Sequence, residues 1–493
     1  MDRDIKERNV TDREEHRPIT KIHAVQASQS GKDTEAFAGV IPTPRPSETT
    51  SSEFAGTEIA SEWAGTLPPA ALQRNYNREK AQQGQEAAGG AANVSNWVLA
   101  VIAGVPLIMV LGNSMLIPAF PQIREAMGIS QFQVGLLITF FSIPAGLAIP
   151  FVGFLSDRIG RKKIIVPALI TYGIGGLISG LSPVLFNNSY AIMLTGRIVQ
   201  GLAAAGTAPI AMALVGDLYQ SRARNKALGF LEATNGLGKV ISPILGSLLV
   251  LLIWWSLFFV YAALAIPVAL GLALLVKEPQ KAKGSNQSFS AYFSSVSSLF
   301  KKKAATLLIA FFGGMLALFT LFGVLSYLSD ALEATYSLQG VKKGLVLAIP
   351  VLASASTALG TGYLLQKKPD YLKLALLTGF GLFSLALILS ALFKTIPSVL
   401  SLLAVLGLGT GLVLPSLNTI VTSSAPEEER GAITAFYGGV RFIGVALGPP
   451  VFSLLEKGGP WALYAPWAVA GAATLLLAWA YLQPPKSQAT GAA

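Results

Sequence analysis

The residues Gly153-Phe154-Leu155-Ser156-Asp157-Arg158-Ile159-Gly160-Arg161-Lys162-Lys163 form a charged turn between two long apolar runs, 132–155 and 164–183. Glycines at both ends suit a tight backbone reversal. An acid such as Asp157 is stabilised at a helix N-terminus, and a cluster of cations is retained on one side of a bilayer. An ordinary basic loop accounts for the cations but not for the Gly/Asp/Arg/Gly/Arg spacing.

Outward from this turn, twelve apolar runs approach or exceed the ~20 residues that a helix needs to cross ~30 Å of hydrocarbon. The spacing predicts spans at 95–119, 132–155, 164–183, 190–215, 227–252 and 256–276. A second set is predicted at 304–328, 343–365, 373–393, 398–422, 432–455 and 463–482. The runs lack the alternation of a membrane barrel, so no strands are expected. Of the 493 residues, 52% are hydrophobic and 13% charged. A soluble domain carries roughly 25% charged residues, so the composition argues against a soluble enzyme. The absence of cysteine excludes disulfides, thiolate zinc and iron–sulfur clusters. The only histidines, His16 and His23, precede the first span, so neither a metal site nor a cofactor is expected.

Charge is divided unevenly. Residues 1–94 hold 11 Lys/Arg against 14 Asp/Glu, with much Ser, Thr, Gln, Gly and Pro, and read as a disordered tail. Its Ile41-Pro42-Thr43-Pro44-Arg45-Pro46 is a short polyproline II candidate. The remainder carries the basic excess in its loops, with no stripe suited to nucleic acid. With the N-terminus inside, inner loops hold 18 basic residues and outer loops 5. That bias places both termini in the cytoplasm of a multi-pass plasma-membrane protein in contact with lipid. The expected organisation is a tail (1–94), a six-helix bundle (95–276), a cytoplasmic linker (277–303), a second bundle (304–482) and a cytoplasmic C-terminal tail (483–493).

The two bundles match at a shift of 206: Gly201 falls on Gly407, Pro209 on Pro415, Arg224 on Arg430, Gly238 on Gly444 and Pro243 on Pro449. Parallel repeats about an axis along the membrane normal mark alternating-access transporters, with the substrate path between the repeats near the midplane.

The 153–163 turn closely resembles the cytoplasmic signature loop of the major facilitator superfamily, and the resemblance covers about 95–485. It implies an all-α fold of two pseudo-symmetric six-helix bundles. It also implies a conformational latch of Gly153, Asp157, Arg158, Gly160, Arg161 and Asp217, with Asp157 meeting the start of span eleven and Arg161 pairing with Asp217. The second-half loop, Gly362 to Lys373, keeps its lysines but has Gln366 where the acid would stand. Arg197-Ile198-Val199-Gln200-Gly201 is similar to the family's span-four arginine motif, which implies proton transfer or cavity hydrogen bonding. An arginine at the centre of a span costs at least ~2.5–3.5 kcal/mol, so it must face protein or water. Gly236 to Gly246 resembles the motif associated with antiporters, through Gly238, Pro243 and Gly246, with Ser242 where the family has glycine. A structural kink explains the same residues. The glycines at 407, 409 and 411 lie inside an apolar span and read as packing, and no P-loop sequence is present, which disfavours ATP-driven transport.

Arg197, Glu232, Lys239 and Arg441 are the charges well inside the predicted spans. Lys239 and Arg441, midway along spans five and eleven, are the expected substrate-cavity pair, with Asn113 and Arg197 beside them. Glu232, read as the only intramembrane carboxylate, and Arg197 are the candidates for proton coupling. Phe140, Phe141 and Tyr437 are candidate apolar contacts or lipid-facing residues. Within the superfamily the chain looks most like twelve-helix drug:proton antiporters, which implies export of a small amphipathic molecule by a monomer in exchange for protons. The cationic cavity supports an alternative, a dedicated exporter of an anionic metabolite such as a siderophore or organic acid. A nutrient importer, or a membrane sensor signalling through the tail, complete the readings.

Overall fold

The computed structural model describes residues 95–187, 189–219, 221–277, 288–393, 395–426 and 429–482. The expected tails, 1–94 and 483–493, and most of the expected linker loop, 278–287, lie outside the described residues. All described regular structure is helical. The first half comprises α1 (Asn96–Ser114), a short α2 (Phe120–Met127), α3 (Gln131–Ile159), α4 (Arg161–Leu185), α5 (Ser189–Ala204), α6 (Ala208–Leu218), α7 (Ser221–Val250) and α8 (Ser256–Leu275). After α9 (Phe289–Lys302) the second half runs through α10 (Ala304–Tyr336), α11 (Gly340–Lys367), α12 (Leu372–Leu392), α13 (Ile396–Ser423), α14 (Arg430–Leu455) and α15 (Gly459–Tyr481). Eleven segments are long and apolar enough to span a bilayer, the last being Arg430–Tyr481, of 52 residues. At 1.5 Å per residue that segment would reach ~78 Å as one helix. It is two, α14 and α15, folded at the Glu456–Gly458 turn, so the spans among the described residues number twelve.

Local chemistry sets the boundaries. Ser130 and Gln133 form a capping box at the start of α3, with each side chain bonded to the other's backbone N–H. At Gly160 the backbone takes φ 110°, open to glycine alone, and this one residue turns α3 into α4. Two predicted spans differ in the structure. Span four, expected whole, is α5 and α6 with a break at 205–207; Pro209, lacking an N–H, sits in the first turn of α6 where none is required. Span seven, expected to end at 328, continues to Tyr336, because Ser329, Asp330 and Glu333 find polar partners on the other half without leaving the helix.

The repeat is visible in the packing. In the first half α4 lies against α5 and α8, and α1 against α7; in the second, α12 lies against α13 and α15, and α10 against α14. The halves meet through two crossings, α3 on α14 and α7 on α11. The first is a close backbone approach: a Cβ on Gly146 would fall 2.6 Å from the Gly439 carbonyl oxygen. Thr139 adds a hydrogen bond across it, Oγ1 to the Ala446 carbonyl at 2.6 Å. Matching lysines close matching helix ends. Lys162 donates to the Ala273 and Val276 carbonyls at the end of α8, and Lys373 to the Trp479 carbonyl near the end of α15. Cations there satisfy the last, otherwise unpaired carbonyls.

The 153–163 turn, α9 and the start of α14 share one end of the molecule, called here the linker end. The turns near residues 115–130 and 331–342 share the far end. Helix α9 docks on the second half through Tyr292, Val296 and Leu299, one helical stripe.

Candidate functional site

Helix α7 contributes charge to the space between the halves. Gly238 packs on Leu107 and Gly246 on the Met115 carbonyl, both in or just after α1. On another stripe, Pro243 and Ile244 meet Gly344 of α11. Glu232 and Lys239, seven residues or nearly two turns apart, lie between these stripes and are exposed. From the opposite half Arg441 of α14 approaches, half-buried, its guanidinium 5.2 Å from the Tyr437 ring centroid and its Nε without a hydrogen-bond partner. Lys239 is within electrostatic reach of both Glu232 and Arg441. The structure thus brings Lys239 and Arg441 near one another, with Glu232 near Lys239.

The space widens toward the linker end. Gly236 still faces Ala355 across the α7–α11 crossing, but two turns further a Cβ on Gly229 or Gly362 would meet nothing within 4 Å among the described residues. Gly438, one turn from Arg441, is equally open. At the far end α7 and α11 stay in contact, with Gly344 against Pro243.

Arg197 does not line this space. It is 0% exposed, inside the first bundle. Its Nε donates to the Leu137 carbonyl (2.9 Å), Nη1 to Gln200 Oε1 (2.8 Å), and Nη2 to the Gly112 carbonyl (3.0 Å) and Asn113 Oδ1 (2.9 Å). The Phe141 ring lies 4.4 Å from the guanidinium carbon. Asn113 is buried with it and donates to Ser142 Oγ at 2.9 Å. Both residues, expected in the cavity, instead tie α1, α3 and α5 together. The reason is geometric: Gly201 lets α5 come close to the α3 backbone at Phe141, and Gly112 of α1 leaves room for the Phe141 and Tyr172 rings, so that carbonyls of α1 and α3 reach the arginine. Phe141 and Tyr437 are likewise packing residues, and Phe140 is the exposed member of the three.

In the 153–163 turn Arg161 pairs with Asp157 and, at 3.3 Å, with Asp217, while donating to Ser156 Oγ at 2.6 Å. The Arg161–Asp217 pair is the one that the resemblance implies. Gly153 lies 4.0 Å from the Ala435 methyl near the start of α14, and Arg158 stacks on Phe154 at 4.6 Å. Phe154 also meets Tyr292 of α9, whose neighbour Phe293 stacks edge-on against Phe436 of α14. Burial and the nearby Asp157 carboxylate push the Tyr292 phenol up to about 12, so it remains a neutral donor.

The motif resembling that of antiporters is a packing surface in this conformation. Gly238 and Gly246 receive α1, and the Pro243 carbonyl faces Gly344. The hydroxyls of Ser242 and Ser247 are buried and have no hydrogen-bond partner among the described residues.

Sequence reasoning missed the polar cluster at the far end. Asp330, 5% exposed, accepts from Gln131 Nε2 at 2.6 Å and faces Arg124 at 3.3 Å. Glu333 accepts from Gln122 at 2.9 Å and pairs with Lys343 at 2.7 Å. Lys343, 1% exposed, also donates to the Pro118 carbonyl at 2.9 Å. Asp330 corrects the expectation that Glu232 is the only carboxylate within a span. The signal was the i,i+3 spacing of Asp330 and Glu333 beside Leu328 and Leu332, which continues the helical period past 328.

The family model described as Major Facilitator Superfamily matches residues 102–449 and 344–492. The bacillibactin exporter of Bacillus subtilis (strain 168) is 38% identical over 365 residues, covering 74% of this chain and 90% of that protein. Multidrug resistance protein 2 of the same organism is 28% identical over 186 residues, 38% of this chain and 45% of its own length. Among solved structures, a bacterial homolog of the human lysosomal transporter Spinster, inward-facing and unoccupied, superposes with a TM-score of 0.62 at 18% identity. That match covers 79% of this chain and 96% of the other. The human organic anion transporter MFSD10 gives 0.61 at 19%, covering 78% and 99%. At such identities these two likenesses bear on the fold alone.

Proposed function

Because the chain belongs to the major facilitator superfamily, we propose that it is a secondary active exporter of a small anionic compound, of the siderophore or organic-acid kind, working by alternating access in exchange for protons. The observation that carries this reading is the cation pair, Lys239 from one half and Arg441 from the other, facing a shared space with the acid Glu232 near Lys239. A cargo carboxylate or phenolate between the two cations would touch both halves at once, through charge-assisted hydrogen bonds. Both halves would then register occupancy. Similarity to an exporter of bacillibactin over nine-tenths of that protein points to the same class.

In this reading the linker end faces the cytoplasm, where the basic turns gather, and the space that widens there receives cargo from inside. The chain works as a monomer in the plasma membrane, since one polypeptide supplies both halves. Glu232, exposed near Lys239, is the carboxylate placed to exchange a proton for cargo.

A second reading, broad export of amphipathic drugs, is favoured by the relatives titled multidrug resistance proteins. The test is proteoliposomes containing a pH-sensitive dye, challenged with anionic, neutral and cationic amphiphiles. Proton movement triggered by anions alone, and lost in K239A and R441A, supports the dedicated exporter. A response to cations and neutrals that persists in both variants overturns it in favour of the second reading.

A further inference from the structure

The far-end cluster is built from both halves. The first half supplies the carbonyls of Ile117 and Pro118 and the side chains of Gln122, Arg124 and Gln131; the second supplies Ser329, Asp330, Glu333 and Lys343. Five of its hydrogen bonds and ion pairs cross between the halves. Ser329 donates to the Ile117 carbonyl at 2.8 Å, Lys343 to that of Pro118, Gln122 to Glu333, Gln131 to Asp330, and Arg124 pairs with Asp330. Arg124 and Asp330 each lie at the far end of the first span region of their half. Glu456, in the turn after α14, adds a third acid within electrostatic reach of Asp330.

We infer that this cluster is the lock that holds the far end shut, and that the halves separate there only when Asp330 and Glu333 give up their partners on the first half. Three features argue for a lock rather than decoration. Lys343 and Asp330 are buried, so neither is an ordinary solvated surface charge. The acids and their partners lie on opposite halves, so parting the far end breaks every one of the crossing bonds together. The Glu333 carboxylate keeps Lys343 within its own half, so after separation that pair survives and the second half is not left with a bare buried cation. Among the described residues the ion pair of Asp330 is with the other half, Arg124 Nη1 to its Oδ1 at 3.3 Å, while Lys343 of its own half acts on it only at longer range. It is therefore the member whose fate differs most between the closed and open far end.

The inference rests on the alternating-access reading, yet its test needs no cargo. The chain has no cysteine, so spin labels at A126C and T335C, both exposed far-end positions outside the cluster, report the distance between the halves by pulsed electron resonance in nanodiscs. We expect the combined variant D330N/E333Q to raise the long-distance fraction at least threefold. We expect R124D alone to do the same, and the exchange R124D/D330R to return the distribution toward that of the parent. Unchanged distributions in D330N/E333Q and R124D overturn the lock, whatever transport assays give. Should R124D fail to fold, the exchange variant still decides: a distribution like that of D330N/E333Q rather than the parent counts against charge pairing as its basis. Shifted distances with no flux of any cargo uphold the lock while removing the exporter reading.

Discussion

A guanidinium enclosed by protein needs an acceptor for its N–H groups, and Arg197 finds four, on two other helices and on its own. Removing it would leave the side-chain oxygens Asn113 Oδ1 and Gln200 Oε1 without their donor in the core, at about 1–3 kcal/mol per orphaned group. R197A is expected to lower the unfolding temperature sharply, and R197K, which keeps the charge but not the planar fork, to recover only part of the loss. Thermal unfolding in detergent checks both; a parent-like R197A would mean that the node is not structural. The orphaned hydroxyl of Ser247 points the other way. S247A removes a buried group that bonds to nothing, and should leave stability equal or raised by up to ~1 kcal/mol in the same assay. Arg197 was legible as a charge that had to face protein or water. That it faces protein depended on Gly201 of α5 meeting the α3 backbone at Phe141, which no local pattern specifies.

At the scale of elements, close helix crossings and open positions predict opposite responses to added bulk. G146L would force α3 away from the Gly439 carbonyl and is expected to abolish transport, at least tenfold in initial rate. G360A meets nothing within 4 Å and should transport at the parent rate. Replacing a mid-helix glycine by alanine also favours the helix by roughly 0.5–1 kcal/mol. Vesicle uptake with matched expression separates the two. The helices themselves were legible because each apolar run is long, and lipid imposes helices on any such run. The break between α5 and α6 was not, since α13 carries a comparable proline, Pro415, and stays continuous. The difference is tertiary: Gly206 at the break comes close to Ala168 of α4. The far-end cluster was obscured for a related reason. Arg124 and Lys343 sit where loop charges are expected, and the pairs Gln131–Asp330 and Gln122–Glu333 join residues 199 and 211 apart along the chain.

For the whole molecule, the two halves share a plan but not a construction. In the first, polar side chains cross between helices: besides Arg197 and Asn113, Tyr172 reaches the Ile108 carbonyl, Tyr261 that of Gly112, and Ser179 that of Met193. In the second, Thr361, Ser390, Thr410, Ser416 and Thr474 each bond back to a carbonyl four residues earlier on their own helix. Position 403, which corresponds to Arg197 at the shift of 206, is a buried leucine. The repeat fixed the topology and even the paired lysine caps, so a reading of symmetric rocking is natural. The cross-helix bonds argue for something else, in mechanical terms: a stiff half and a compliant half. Backbone amides of α1, α3 and α5 should exchange with deuterium more slowly than those of α10, α11 and α13, and R197A should erase much of that difference. If so, the stroke of this machine is an uneven one, with the first bundle acting as the fixed frame and the second doing most of the bending.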